Sequence, residues 1–305
     1  MTDDSITIRR ATPDDSRAAY DLTMDAVLDY LKRNGVEWSV DRDQFFAGLG
    51  PVLDFFATHN AEWWVAEGPD GSLVGHARSI ERGGLFELTE FFVRPDSQSA
   101  GVGRRLIEKA FPLGRGEVRA IIATIDARAQ ATYYRAGTAA RFATAEMAGR
   151  PRASSADAEA ARRERGLDVE TSDVAAAADF AAIDEAVTGF PRTAEYPMLF
   201  ETRDALLFRR AGRPVAFAFV TESGIGPIAA LDPADQVTML LAVEAWAADR
   251  GQTEIEFEVP MVNEVAMRHL LGRGFRISPP LSLFMSNKPF GQFDRYVLFA
   301  PPLVF

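Results

Sequence analysis

The chain has 305 residues, with 44 acidic side chains against 33 basic ones, a formal charge of −11 and no cysteine. That charge argues against a nucleic-acid backbone as partner, and the missing thiols exclude a disulfide framework, a thiolate metal site and a cysteine nucleophile. No apolar run approaches the roughly 18 residues of a membrane span, and Met1-Thr2-Asp3-Asp4 lacks the basic-then-apolar order of a secretory leader, so a cytoplasmic protein of about two domains is expected.

Ile6-Thr7-Ile8-Arg9 alternates as a strand. Ala18, Leu22, Ala26, Val27, Tyr30 and Leu31 fall at helical spacing between Asp14 and Lys32, and Asn34-Gly35 ends that helix. A second helical stretch runs from about Asp41 to His59, with Pro51 starting or kinking its later part. Trp63 to Ala66 and Leu73 to Ala77 are strands joined by the hairpin turn Pro69-Asp70-Gly71. Gly83-Gly84 leads into a strand from Leu85 to Val93, and a helix after the next glycines ends near Gly114 to Gly116. Ala120 to Thr124 reads as a short buried strand, Ala127 to Ala136 as a short helix and Phe142 to Met147 as a last strand.

The most informative segment is Gln98-Ser99-Ala100-Gly101-Val102-Gly103, between the strand end Phe91-Phe92-Val93 and the helix opening Arg104-Arg105. The first turn of a helix leaves N–H groups without intrahelical partners, and its dipole favours an anion. Glycine lets the loop lie close against that anion. The element is a candidate pyrophosphate site. It is no P-loop, since Gly103 is not followed by Lys-Ser or Lys-Thr, and it lacks the third glycine of a dinucleotide fingerprint.

With Val93-Arg94-Pro95 before it, the loop resembles the acetyl-CoA loop of the GNAT acetyltransferases, Gln/Arg-x-x-Gly-x-Gly/Ala after a Val-x-Pro element. The order of elements is also the GNAT order. The resemblance implies acetyl-CoA as co-substrate, with Gln98, Ser99, Ala100, Gly101, Val102, Gly103 and Arg104 at its phosphates. Phe91, Phe92 and Val93 would pair with its pantetheine amides. It also implies a tyrosine acid. Asp126-x-x-Ala129-x-x-x-Tyr133-x-x-x-Gly137 falls in register with the family's fourth-helix pattern, which makes Tyr133 the carried-over acid and Asp126 a cofactor residue in place of the usual asparagine. A phenol is protonated at neutral pH and can donate to a departing thiolate.

A base is also needed, because the acceptor amine must be neutral to attack. Glu87 and Glu90 lie in the strand before the loop, with Glu87 where some relatives keep their base. Their odd spacing puts them on opposite faces of a regular strand, unless the bulge common in such folds shifts the parity. The terminal carboxylate of Phe305 is a further candidate, since some multidomain relatives place a C-terminus in the active site. Tyr30, Trp38, Phe45 and Phe46 line the expected acceptor region or the core beside it. His59, His76 and His269 lack ligand spacing, so no metal is expected.

Pro151 to Gly166 reads as a linker between a domain at 1–150 and another at 167–305, although a solvated helix through Ala156 to Arg165 also fits. The second half repeats the order of elements and ends with Leu283-Phe284-Met285 and Tyr296 to Phe299 as a closing hairpin. Asn263-x-x-Ala266 before Leu270-Leu271-x-x-Gly274-Phe275 resembles the fourth-helix segment again. At the cradle position, however, it has Leu231-Asp232-Pro233-Ala234-Asp235 without glycine, and Leu271 stands for the tyrosine. The fold expected is therefore mixed α/β, two tandem GNAT-like domains each with a mixed central sheet flanked by helices, the second non-catalytic. The function expected is N-acetyl transfer from acetyl-CoA to a small-molecule or peptide amine, with a homodimer compatible. The alternative is an acyl-CoA-binding sensor that acts through a protein partner.

Overall fold

A computed structural model describes residues 6–97, 101–222 and 224–299. The chain forms two compact units, one of Met1–Ala139 with Met285–Lys288 and the other of Ala140–Phe284 with Pro289–Phe305.

Unit 1 opens with strand β1 (Thr7–Arg10), then helices α1 (Ser16–Arg33), α2 (Arg42–Gly48) and α3 (Gly50–His59). The helical stretch expected from about Asp41 to His59, with Pro51 starting or kinking its later part, forms two helices broken at Leu49, and Pro51 takes the first turn of α3, where its missing N–H leaves no gap. Strands β2 (Asn60–Glu67), β3 (Leu73–Arg82) and β4 (Leu85–Val93) form an antiparallel meander with β1. Helix α4 (Val102–Ala110) leads to β5 (Val118–Thr124), which pairs parallel with β4, and α5 (Ala127–Arg135) closes the run. The buried residues of α4 are Val102, Leu106, Ile107 and Ala110, a stripe at helical spacing. Nearly every residue of β3 is buried, the polar side chains of His76, Arg78, Ser79 and Arg82 among them. The return segment is tied to β5: Asn287 N–H donates to Arg119 O at 3.1 Å, and Arg119 N–H donates to Asn287 Oδ1 at 2.9 Å.

Unit 2 holds β6 (Ala139–Gly149), α6 (Ser155–Arg165), β7 (Asp168–Ser172), α7 (Ala177–Thr188), α8 (Tyr196–Thr202), β8 (Asp204–Arg210) and β9 (Arg213–Val220). There follow β10 (Gly224–Ala230), α9 (Gln236–Asp249), β11 (Ile255–Pro260), α10 (Glu264–Gly272), β12 (Arg276–Ser286) and β13 (Tyr296–Val297). Strands β7 to β10 form an antiparallel meander, β10 and β11 pair parallel, and β6 pairs antiparallel with β11. The core gathers Phe208, Met239, Val243, Phe257 and Phe275 with Ala145 and Met147 of β6.

Residues 155–165 are helical, the second of the two readings of the segment from Pro151 to Gly166: Ser154 and Asp157 form a capping box, and Ala158 is buried. One expectation is corrected. The expected closing hairpin does not form, because β13 pairs with β10, through Ile228↔Val297 and Ala229↔Tyr296, rather than with β12. Helix α8, with Pro197 in its first turn, is an element the sequence reading lacks.

Candidate active site

The site is set by one extra residue in β4. Arg78 pairs with Glu90 and Ser79 with Leu88, which leaves Thr89 bulged, its Oγ1 donating to Arg78 O at 3.2 Å. Pairing of β4 with β5 runs from Leu85↔Val118 to Leu88↔Ile121 and stops there. The bulge also resolves the parity of the two glutamates. Glu87 lies opposite Ile80 and Glu90 opposite Arg78, two residues apart in β3, so both carboxylates share a face.

On that face neither glutamate stands alone. Arg82 Nη1 donates to Glu87 Oε2 at 2.6 Å, and Arg78 Nε lies 2.9 Å from Glu90 Oε2. All four side chains are buried. The Arg78 guanidinium lies 3.9 Å above the Trp63 ring and 5.5 Å from that of Phe56. Burial lowers the Arg78 pKa, and Glu90 opposes the shift. His76, also on this face, has its Nε2 2.7 Å from Thr23 Oγ1 and its ring stacked on Phe92 at 5.8 Å. Burial pushes its imidazole down to about 4.

The opposite face belongs to the candidate cofactor elements. Gly101 precedes α4 with φ +71°, in the left-handed region that glycine tolerates. The first intrahelical bond is Arg105 N–H to Gly101 O, so the N–H groups of Val102, Gly103 and Arg104 sit in the first turn. A Cβ on Gly103 would lie 3.2 Å from Phe91 Cζ and 3.7 Å from Val93 Cγ2. Phe92 points the other way, toward His76. Gln98, Ser99, Ala100 and Phe305 lie outside the described residues. Arg104 is 79% exposed and faces Glu108 at 3.9 Å, the geometry of a surface pair.

Tyr133 meets the same phenylalanine. Its ring stands edge-on to Phe91 with centroids 6.0 Å apart, and the residue is only 7% exposed. Burial raises its pKa, and the charge of Asp126 adds to the effect, so the phenol keeps its proton. Asp126 has a structural task in the same helix. Its Oδ1 accepts from Arg128 N–H at 2.9 Å and Ala129 N–H at 3.1 Å as the N-cap of α5. Burial pushes this carboxyl up, but those N–H groups and Arg33, 3.5 Å away, outweigh it and hold it below its usual value.

Phe91 thus joins the α4 opening to Tyr133, while the glutamates occupy the other face of the same strand. Sequence reading missed Arg78 and Arg82, and gave His76 and Trp63 no part in the site. The signal was present as Arg78-x-Ile80-x-Arg82 and Glu87-x-x-Glu90 on the two strands of one hairpin. No group of side chains that could hold a metal occurs among the described residues, and no described helix is long and apolar enough to cross a membrane.

The model of the acetyltransferase (GNAT) family matches residues 25–138. Among solved structures, a proposed acetyltransferase from Pyrococcus horikoshii superposes with a TM-score of 0.71 at 16% identity, over 96% of this chain and 93% of that one. A GCN5-related N-acetyltransferase from Sphaerobacter thermophilus gives 0.59 at 15% identity, over 95% and 98%. A tandem GNAT protein from the clavulanic acid biosynthesis pathway gives 0.57 at 13% identity, over 93% and 99%. No curated protein sequence matches the chain. The family model thus matches residues 25–138 of the first half, and along its whole length the chain shares the fold of solved GNAT structures, a tandem GNAT protein among them.

Proposed function

We propose that unit 1 is an N-acetyltransferase that moves an acetyl group from acetyl-CoA directly to an amine. The observation that carries this reading is Phe91, which touches the glycine opening of α4 on one side and the buried phenol of Tyr133 on the other. The residues fit the co-substrate. Gly103 has no Cβ to fill the space before Phe91, and the first-turn N–H groups of α4 suit a pyrophosphate. Acetyl-CoA would supply the activated acetyl thioester. Tyr133 would hold a proton at Oη for the departing sulfur.

Glu87 and Glu90, expected as bases, read better as partners of Arg82 and Arg78. His76 is a weak base at its lowered pKa. The acceptor would therefore enter as its neutral amine, which favours amines that are partly unprotonated at neutral pH, such as α-amino groups with pKa near 7.7–8.0, over lysine-like amines near 10.4.

The test is release of free CoA thiol across a panel of amines. The chain has no cysteine, so a thiol reagent reads only the product. Tyr133→Phe is expected to lower kcat at least tenfold and leave acetyl-CoA affinity within about twofold. An unchanged kcat would remove Tyr133 from the proposed chemistry.

The second reading, an acyl-CoA-binding sensor, is favoured by the arginine pairing of both glutamates, since binding alone needs no base. It predicts acetyl-CoA binding with no thiol release from any amine, and no kinetic consequence of Tyr133→Phe.

A further inference from the structure

In unit 1 no strand stands between β4 and β5 beyond Leu88↔Ile121 among the described residues. Unit 2 treats the corresponding place differently. β10 and β11 pair at Gly224↔Glu256 and Ile225↔Phe257, and β13 then enters between them. Val297 pairs with Ile228 and Tyr296 with Ala229, while Leu298 N–H donates to Glu258 O at 2.9 Å. Both units bulge at the matching point: Thr89 is the extra residue of β4, and the register of β10 against β9 shifts between Ile225 and Ile228. The insertion is close-fitting. A Cβ on Gly226 would lie 2.1 Å from Leu298 O, and Tyr296, Val297 and Leu298 are all buried. Asn263 caps α10 through Oδ1 and donates from Nδ2 to Tyr296 O at 3.0 Å, holding the strand from the side.

The phosphate end of unit 2 is also filled by the chain itself. The turn before α9 carries Asp232 and Asp235. Arg165 reaches Asp232 at 2.9 Å and Asp235 at 2.7 Å, and Arg210 reaches Asp235 at 2.7 Å. Asp235 is fully buried. A pyrophosphate would meet two carboxylates there, already matched by two guanidiniums.

We propose that β13 is the resident occupant of unit 2: the chain's own backbone lies where the same fold leaves room for an acyl-CoA arm in unit 1. Unit 2 then takes no acyl-CoA, and the chain takes one equivalent. The stoichiometry rests on the reading of unit 1 given above; the closure of unit 2 does not.

Titration calorimetry of the full chain with acetyl-CoA, combined with amide hydrogen exchange of residues 292–299, tests both parts. The expected result is one equivalent bound by wild type and none by Gly101→Glu. Val297 and Leu298 amides exchange slowly, at the same rate with and without ligand. Two equivalents would overturn the proposal. So would one equivalent surviving in Gly101→Glu together with faster exchange at 297–298, since the ligand would then have displaced the strand. No binding at all with slow exchange at 297–298 would overturn the acyl-CoA reading of unit 1 and support the closure of unit 2. Gly226→Ala should speed exchange at 296–298 and leave one equivalent bound. Should that variant fail to fold, the wild-type exchange with and without ligand decides.

Discussion

The ring of Phe91 ends 3.2 Å from the point where a side chain on Gly103 would begin. This spacing ties the last turn of β4 to the first turn of α4 and leaves no room for an added methyl unless the ring moves. Gly103 has no positive φ, so its demand for glycine comes from this contact and not from backbone conformation.

Gly103→Ala therefore separates stability from binding. Alanine favours a helix over glycine by about 1 kcal/mol, so the variant should be as stable as the parent or slightly more so. Its methyl would push the Phe91 ring toward Tyr133 and narrow the proposed cofactor path. Acetyl-CoA affinity is expected to fall roughly tenfold, equivalent to about 1.4 kcal/mol. Calorimetric titration beside a thermal melt checks both halves. A variant that loses stability and affinity together would point to general damage instead.

The buried pair Arg78–Glu90 gives a second prediction. Its side chains are 2% and 6% exposed, and Arg78 Nε lies 2.9 Å from Glu90 Oε2. Removing one partner from such a pair leaves a buried charge uncompensated and costs about 3–5 kcal/mol. Glu90→Gln should lower the denaturation midpoint accordingly. Replacing both groups, as Arg78→Met with Glu90→Leu, should recover most of that loss, because two apolar side chains need no desolvated charge. Equal destabilisation of the single and double variants would show that packing of Arg78 on Trp63, rather than charge, dominates the site.

What the sequence made legible was governed by local pattern. The strand, glycine turn and helix around Gly101 and Gly103 could be read because helix periodicity and glycine are short-range signals. Tyr133 could be placed by register within one helix. The charge pairs could not. Whether Glu87 and Glu90 share a face depends on one bulged residue, Thr89, which shows only in the pairing with β3. Residues 155–165 fitted both a linker and a solvated helix because only Ala158 of that helix is buried, so no apolar stripe decides between them. The pairing of β13 was hidden for another reason. Two ladder residues suit many strand edges, and only the three-dimensional gap between β10 and β11 selects one.

Glu258 makes stability fall as pH rises from about 4.5 to about 7. Burial pushes its carboxyl up to about 7 from 4.5, with Thr144 opposing the shift and Glu146 adding to it. A carboxyl whose folded pKa is raised is protonated in the folded chain while the unfolded chain has already lost the proton. The protein should therefore lose stability as pH rises from 4.5 to 7, by about 3 kcal/mol from this group, and lose no more above that. Glu258→Gln, which keeps a partner for Thr144, should be more stable than the parent at pH 8 and equal to it at pH 4. Urea midpoints at the two values check the sign.

His76 produces a slope of opposite sign in an overlapping range. Its imidazole is pushed from 6.5 down to about 4 by burial, Arg78 adding to this and Glu90 opposing it. The unfolded chain binds a proton below about 6.5 that the folded chain refuses until about 4, so falling pH favours unfolding across that window. The loss approaches about 3 kcal/mol at pH 4 and levels off below it. His76→Gln should remove this dependence while its side-chain amide still reaches Thr23. Because Glu258 opposes the slope, the comparison is best made in the Glu258→Gln background, where the parent should weaken from pH 6.5 to 4 and the His76→Gln variant should hold nearly level. A parallel decline in both chains would place the proton uptake on another group.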